Sequence, residues 1–313
     1  MNSNPQLSGR RGYGIALTMM VCVLWGFFPI AAKAVLMETD PYTLNFYRFV
    51  LPLIIMWVFL WRRRQLPSLW RGQQKPLRGR VLLAAVLLIG NYILFAYGLG
   101  RITPGASQVL IQVGTMVLLL SGVFLFGEKF LPRQWLGCAV FVTGLLIFFL
   151  HRIVEMFDGF NSYAVGMGIM LLAALSWALY AVIQKPLLKD ISSIQILVVV
   201  FAIGVIMFLP LAELSAISRL STFALAGLGF CTFSTLIGTA AFAEALAHWE
   251  ASRISASLTS IPLFTLLFMQ LLSLHPEFHI PPEPITTATV LGALLVVGGA
   301  SLVALGGGPR ETR

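Results

Sequence analysis

Ten stretches of about twenty mainly apolar residues follow one another along this chain, and no other feature constrains its fold as strongly. They fall near 14–36, 42–61, 80–99, 104–126, 133–150, 164–183, 192–211, 222–247, 252–274 and 285–306. At about 1.5 Å of rise per residue, a helix of that length crosses a hydrocarbon layer about 30 Å thick. The runs are continuously apolar rather than alternating, which excludes the strands of a membrane barrel. Turn chemistry separates them: Asp40-Pro41, Thr103-Pro104, Leu131-Pro132 and the proline cluster from Pro276 to Pro284. Arg10 and Arg11 precede the first run, but that run is too long for the apolar core of a signal peptide.

Composition agrees. Hydrophobic residues make up 58% of the chain and charged residues 11%, against about 25% charged in a soluble domain. That leaves too little charge to cover a soluble surface, so the bilayer is the solvent. The net charge of +9 does not point to nucleic acid, because the basic residues sit in short segments between apolar runs. Cys22, Cys138 and Cys231 each lie inside a run and read as small apolar residues. The spacing of the chain's Cys, His and acidic residues suggests no metal site or disulfide framework, and no phosphate-binding loop implies a nucleotide cofactor.

The expected fold class is therefore an all-α integral membrane protein with ten transmembrane helices. With the N-terminus inside, the inner segments hold sixteen Lys and Arg, and the outer loops only Arg101, Arg152 and Arg219. Lys33 and Arg48 lie near the outer ends of their helices and count for neither side. This predicts a cytoplasmic tail over 1–13, five helices over 14–150, an external linker over 151–163, five more over 164–306, and a cytoplasmic tail over 307–313.

The halves resemble each other. A shift of 152 places Gly14 on Gly166, Trp25 on Trp177 and Lys33 on Lys185. A shift of 148 places Gly90 on Gly238, Ser107 on Ser255 and Gly114 on Pro262. A shift of 155 places Gly137 on Gly292 and Gly144 on Gly299. Five is odd, so the second half enters the membrane from the opposite side. Such inverted repeats are a common build for secondary transporters.

Three stretches carry a family resemblance. The first run holds Leu24-Trp25-Gly26 before Pro29, and the second opens with Asn45-Phe46-Tyr47-Arg48-Phe49. The fourth reads Ala106-Ser107-Gln108-Val109-Leu110-Ile111-Gln112 and exits through Gly127-Glu128-Lys129-Phe130. In these the chain resembles the EamA-type, ten-helix branch of the drug/metabolite transporter superfamily. The resemblance implies an arginine near the start of the second helix and transport of a metabolite, amino acids among the solutes exported by such proteins. It departs at Gly114, where proline is frequent, and at His275-Pro276-Glu277, which replaces a second Gly-Glu-Arg/Lys step.

Candidate solute-binding residues are the polar and aromatic groups at membrane depth. Gln108 and Gln112 form a stripe with Thr115, which lines a cavity or bonds a neighbouring helix. Asn91, with Tyr92 beside it, matches Thr239 in the second half. Trp25 and Trp177 are mid-span, and Tyr180 and Gln184 share the face of Trp177. Asn45 and Arg48 share a face of the second helix, where Arg48 either serves the solute or snorkels to the interface. Glu244 is the acid a coupling proton would use, or else an interfacial carboxylate near Arg253. Ser107, Gly114 and Ser121 share one face of the fourth helix, and Gly137 and Gly144 share one face of the fifth, as close-approach faces do.

The expected function is a secondary transporter that exports an amino acid or similar neutral or zwitterionic solute across the cytoplasmic membrane. The expected partners are a small-molecule solute, lipid and a coupling proton, with no metal, cofactor or nucleic acid. A membrane-embedded enzyme, a lipid-handling protein and a sensor are the rival classes. The enzyme needs a catalytic constellation, and His248-Trp249-Glu250 has no second histidine to make a zinc motif.

Overall fold

The computed structural model describes residues 11–67, 75–126, 131–151, 161–188, 190–249, 251–275, 280 and 284–306. All regular structure among them is helical. The tail over 307–313, the step at 127–130 and most of the linker (152–160) lie outside the described residues. So do Arg10, Arg71, Lys189, Glu250, Pro276, Glu277, Arg310 and Arg313.

The first half comprises α1 (Arg11–Leu36), α2 (Pro41–Arg62), α3 (Lys75–Leu99), α4 (Pro104–Phe126) and α5 (Pro132–Phe148). The second comprises α6 (Ser162–Leu187), α7 (Ser193–Phe208), α8 (Thr222–His248), α9 (Ala251–Leu258), α10 (Ile261–Leu272) and α11 (Thr287–Gly306). Eight segments, counting Arg253–Leu272 as one, are long and apolar enough to cross a membrane. Pro132–Phe148 and Ser193–Phe208 are shorter apolar helices and complete the ten spans.

Side chains that satisfy orphan N–H groups start several of these helices. Asp40 accepts from the backbone N–H of Tyr42 at 2.8 Å and of Thr43 at 3.1 Å, with Pro41 in the first turn. Asn161 caps α6 and Ser221 caps α8 in the same way. Ser192 and Gln195 form a reciprocal capping box at α7.

The sequence predicts an unbroken ninth span over 252–274; the structure divides it. Thr259 and Ser260 form a turn between α9 and α10. Pro262 supplies no N–H for the carbonyl of Leu258, and its ring crowds that carbonyl.

The inverted relation of the halves is visible in their contacts. A Cβ built on Gly137 would lie 2.8 Å from the Gly299 carbonyl oxygen, and one on Gly144 would lie 2.8 Å from that of Gly292. Gly292 and Gly299 are the repeat mates of Gly137 and Gly144, so each glycine faces the mate of the other. Their numbers run in opposite directions, which makes α5 and α11 antiparallel about a pseudo-twofold axis. A second pair obeys the same rule: Gly14 packs against Trp249, and Gly166 against Arg101, with built Cβ atoms 2.8 and 2.7 Å from the partner Cβ. Gly166 is Gly14 shifted by 152, and Trp249 is Arg101 shifted by 148. Accordingly α1 packs on α8 as α3 packs on α6, and α2 packs on α7. Gly114 is also a close-approach position: its Cβ would lie 2.5 Å from the carbonyl oxygen of Ala174 on α6.

Candidate functional site

On α2 Leu51, Ile54, Ile55, Trp57, Val58, Phe59 and Trp61 are exposed. Asn45, Arg48, Pro52 and Met56 are buried. Ile55 follows Arg48 by seven residues and shares its bearing on the helix, so the burial of Arg48 comes from the helices that cover the start of α2. Arg48 lies about 10 Å along α2 from its start, at about 1.5 Å per residue. Only 7% of the residue is exposed.

Four helices meet at the guanidinium. Its Nε donates to Thr235 Oγ1 of α8 at 2.7 Å. The Thr235 hydroxyl in turn donates to the carbonyl of Cys231 at 2.7 Å. The Arg48 Cζ stands 4.2 Å from the ring centroid of Phe28 on α1 and 4.6 Å from that of Tyr92 on α3. Phe49 packs edge-on against Tyr92, with ring centroids 5.0 Å apart. Asn45, one turn earlier on α2, is fully buried; its Nδ2 donates to the carbonyls of Pro41 at 2.9 Å and Tyr92 at 3.4 Å. Its Oδ1 is buried without a donor.

Among the described residues no carboxylate pairs with Arg48. Glu38 is engaged by Ser221, Asp40 caps α2, Glu213 pairs with Arg219, and Glu244 lies 2.9 Å from His248. Burying an ion costs several kcal/mol even after relaxation. Two ring contacts of about 0.5–2 kcal/mol each and one hydrogen bond of about 1.5–3 kcal/mol offset that only in part. The Nη atoms bond to no described residue, and they are not among the fully buried unpartnered atoms. They therefore keep a little accessible surface.

The proline inside α1 explains where the Gln108 amide goes. Pro29 has no N–H, which leaves the carbonyl of Trp25 without its helical donor. Gln108 Nε2 donates to that carbonyl at 3.2 Å. Ser234 donates to the neighbouring Leu24 carbonyl at 3.3 Å and Thr265 to that of Gly26 at 2.7 Å. Gln112 Nε2 reaches the Thr259 carbonyl in the turn between α9 and α10, at 3.5 Å. Replacing Gln108 with leucine is expected to leave the Trp25 carbonyl unpaired and to destabilise the protein by about 1–3 kcal/mol. Thermal melting in detergent would read this, and an unchanged midpoint would show that the bond carries no weight.

The other candidates are placed as follows. Asn91 donates to the Ala173 carbonyl at 2.9 Å, at the α3–α6 contact. Thr239 donates to its own helix, at Thr235 O. Trp25 packs against Phe242, and its indole occupies the room left by Gly238. Trp177 and Tyr180 join the apolar cluster of α2, α3 and α7. Gln184 is half-buried, and its carbonyl accepts from the Leu188 N–H at 3.2 Å. Lys33 does not extend outward: its Nζ donates to the carbonyls of Leu99, Gly100 and Ile102 at 2.7, 2.9 and 3.1 Å. Arg48, Asn45 and Tyr92 thus come together, while Gln108 and Trp25 meet at the carbonyl freed by Pro29. Phe28 and Thr235 were not anticipated from sequence. Their only signal was position, Phe28 beside Pro29 and Thr235 one turn before Thr239.

Comparison with known proteins follows this geometry. The pattern of the EamA-like transporter family matches residues 12–150 and again 164–305, one copy for each half. The uncharacterized inner membrane transporter YhbE of Escherichia coli K12 is 40% identical over 298 residues, covering 94% of this chain and 92% of that protein. An uncharacterized transporter of Haemophilus influenzae is 32% identical, covering 94% and 95%. A probable amino-acid metabolite efflux pump of Escherichia coli K12 is 23% identical, covering 90% and 92%. A solved crystal structure aligns with a TM-score of 0.58 over 96% of this chain and 100% of its own; at 16% identity this likeness concerns the fold alone. Two copies of the family pattern, on halves whose glycine mates touch across an antiparallel seam, lead to one conclusion: the chain belongs to the EamA-like transporter family.

Proposed function

We propose that the chain is a secondary transporter that exports a small amino-acid-like metabolite across the cytoplasmic membrane, both termini being cytoplasmic. The carrying observation is the contact between repeat mates along α5 and α11. Halves related in this way can exchange shapes, which opens a central site to one side and then the other. In this reading α5 and α11, held by their paired glycines, are the scaffold, and the path runs among the other spans. The amino-acid class is supported by the printed name of the efflux pump relative and by the cation at membrane depth. Glu244, beside His248 at the end of α8, is the candidate for a coupling proton.

Purified protein in liposomes preloaded with unlabelled L-amino acids should take up the same labelled amino acid by counterflow. The uptake should saturate and exceed that of protein-free vesicles. If no amino acid in a full panel exchanges above the vesicle background, the proposed solute class is wrong.

A further inference from the structure

Arg48 presents an unusual inventory for a group inside a membrane bundle. One N–H is used on Thr235, two aromatic rings approach the guanidinium carbon, and the four Nη hydrogens have no acceptor among the described residues. The two rings lie over the centre of the cation, with Cζ 4.2 and 4.6 Å from their centroids. What remains available is its edge, where N–H groups point in the plane and match the two oxygens of a carboxylate. Glu38, Asp40, Glu213 and Glu244 are committed elsewhere, Asp190 is exposed in the turn after α6, and the Thr235 hydroxyl already donates to Cys231, so no described residue is seen to supply the missing negative charge.

We infer that Arg48 is the carboxylate subsite of the transport path: it binds the carboxylate of the solute through its Nη edge, with Phe28 and Tyr92 holding the guanidinium in plane and Thr235 fixing its rotation. The inference rests on the reading of the chain as a solute transporter and narrows it to solutes that carry a carboxylate. A neutral solute of the same shape is excluded because it would leave the cation desolvated without a counter-charge. Because α1, α2 and α3 belong to one repeat and α8 to the other, a solute held here touches both halves that must move.

The test compares acids with their amides. Thermal melting of the purified protein is followed with sodium acetate, L-alanine and L-threonine, and with acetamide, L-alaninamide and L-threoninamide. Sodium chloride serves as the plain-anion control. The acids are expected to raise the melting midpoint and the amides and chloride to leave it unchanged. Arg48→Gln should weaken the response to acids by about tenfold or more in apparent affinity. Arg48→Lys, which keeps the charge but not the planar edge, should weaken it less, and serves in its place if Arg48→Gln does not fold. Thr235→Val should weaken it by a few-fold. A flat wild-type response, equal responses to acid and amide, a chloride response as large as the acids', or a response that survives both Arg48 variants would each overturn the subsite. Liposome counterflow separates the two readings. Flux of an acid that is indifferent to Arg48 leaves transport standing and removes the subsite. Acid-specific stabilisation without any flux keeps the subsite and removes transport.

Discussion

Leucine at position 299 is expected to abolish folded protein, while leucine at position 298 leaves it intact. Both residues are glycines of α11, adjacent in sequence and opposite in surroundings. A Cβ on Gly299 would lie 2.4 Å from Phe141 N, 2.6 Å from Gly137 O and 2.8 Å from Phe141 Cα. All three are backbone atoms, so relief requires moving α5 as a whole. A Cβ on Gly298 would meet nothing within 4 Å. Overpacking a tight interior costs about 1–3 kcal/mol when side chains can yield, and here they cannot. Between apolar helices in lipid there is little hydrophobic drive to restore the contact, because association rests on close packing. Gly144→Leu should behave like Gly299→Leu, since Gly144 is its repeat mate and lies 2.6 Å, measured from a built Cβ, from Val296 N. Monodisperse yield and melting in detergent read the effect. A Gly299→Leu protein that melts like wild type would remove the seam from the account of the fold.

In the proposed alternating-access cycle, replacing Lys33 with methionine is expected to shift the balance between the two open states by about 10- to 100-fold, the equivalent of about 1.5–3 kcal/mol for charged hydrogen bonds. Lys33 binds the last turn of α1 to three carbonyls at and just beyond the end of α3. A cation at a helix C-terminus also meets the negative end of the helix dipole. Any motion that separates α1 from the α3–α4 connector must break these bonds. Methionine keeps the bulk and removes all three donors. The repeat mate is Lys185, in the last turn of α6, and Lys185→Met should shift the balance in the opposite direction. Maleimide labelling can follow this, with cysteines introduced singly at Tyr97 and at Arg253 and the native Cys22, Cys138 and Cys231 replaced by alanine. Lys33→Met should speed labelling at 97 and slow it at 253. Unchanged rates at both positions would mean that the lysine is only a cap and takes no part in gating.

Legibility differed by kind of claim. The spans, their order and the repeat could be read because each depends on local composition or on self-similarity. Gly137, Gly144 and Gly114 read as close-approach positions, and each indeed lies against neighbouring backbone. Gln108 and Gln112 read as a polar stripe that must find partners, but the partners are carbonyls freed by Pro29 and by the turn before Pro262. The proline that creates an orphan acceptor and the amide that answers it are far apart in the chain, so no window contains both. The break in the ninth span was missed because the apolar stretch after Pro262 keeps the twenty-residue average of Arg253–Leu272 high, and hydropathy is blind to a missing N–H.

The sequence by itself determined that the chain lives in a bilayer, crosses it ten times and is built twice from one pattern. Lipid selects on length and apolarity summed over about twenty residues, and that sum is local. Only the tertiary structure decided which way Arg48 turns. From sequence, an arginine about two turns inside a helix could equally have extended to the interface. In lipid the usual clue is weak, since the outward face of α2 and the faces buried between helices are both apolar. The direction of Arg48 was instead set by Thr235, Phe28 and Tyr92, which three other helices bring to one point. A buried charge takes its role from the non-local partners that share its cost, and those partners exist together only after the helices have packed.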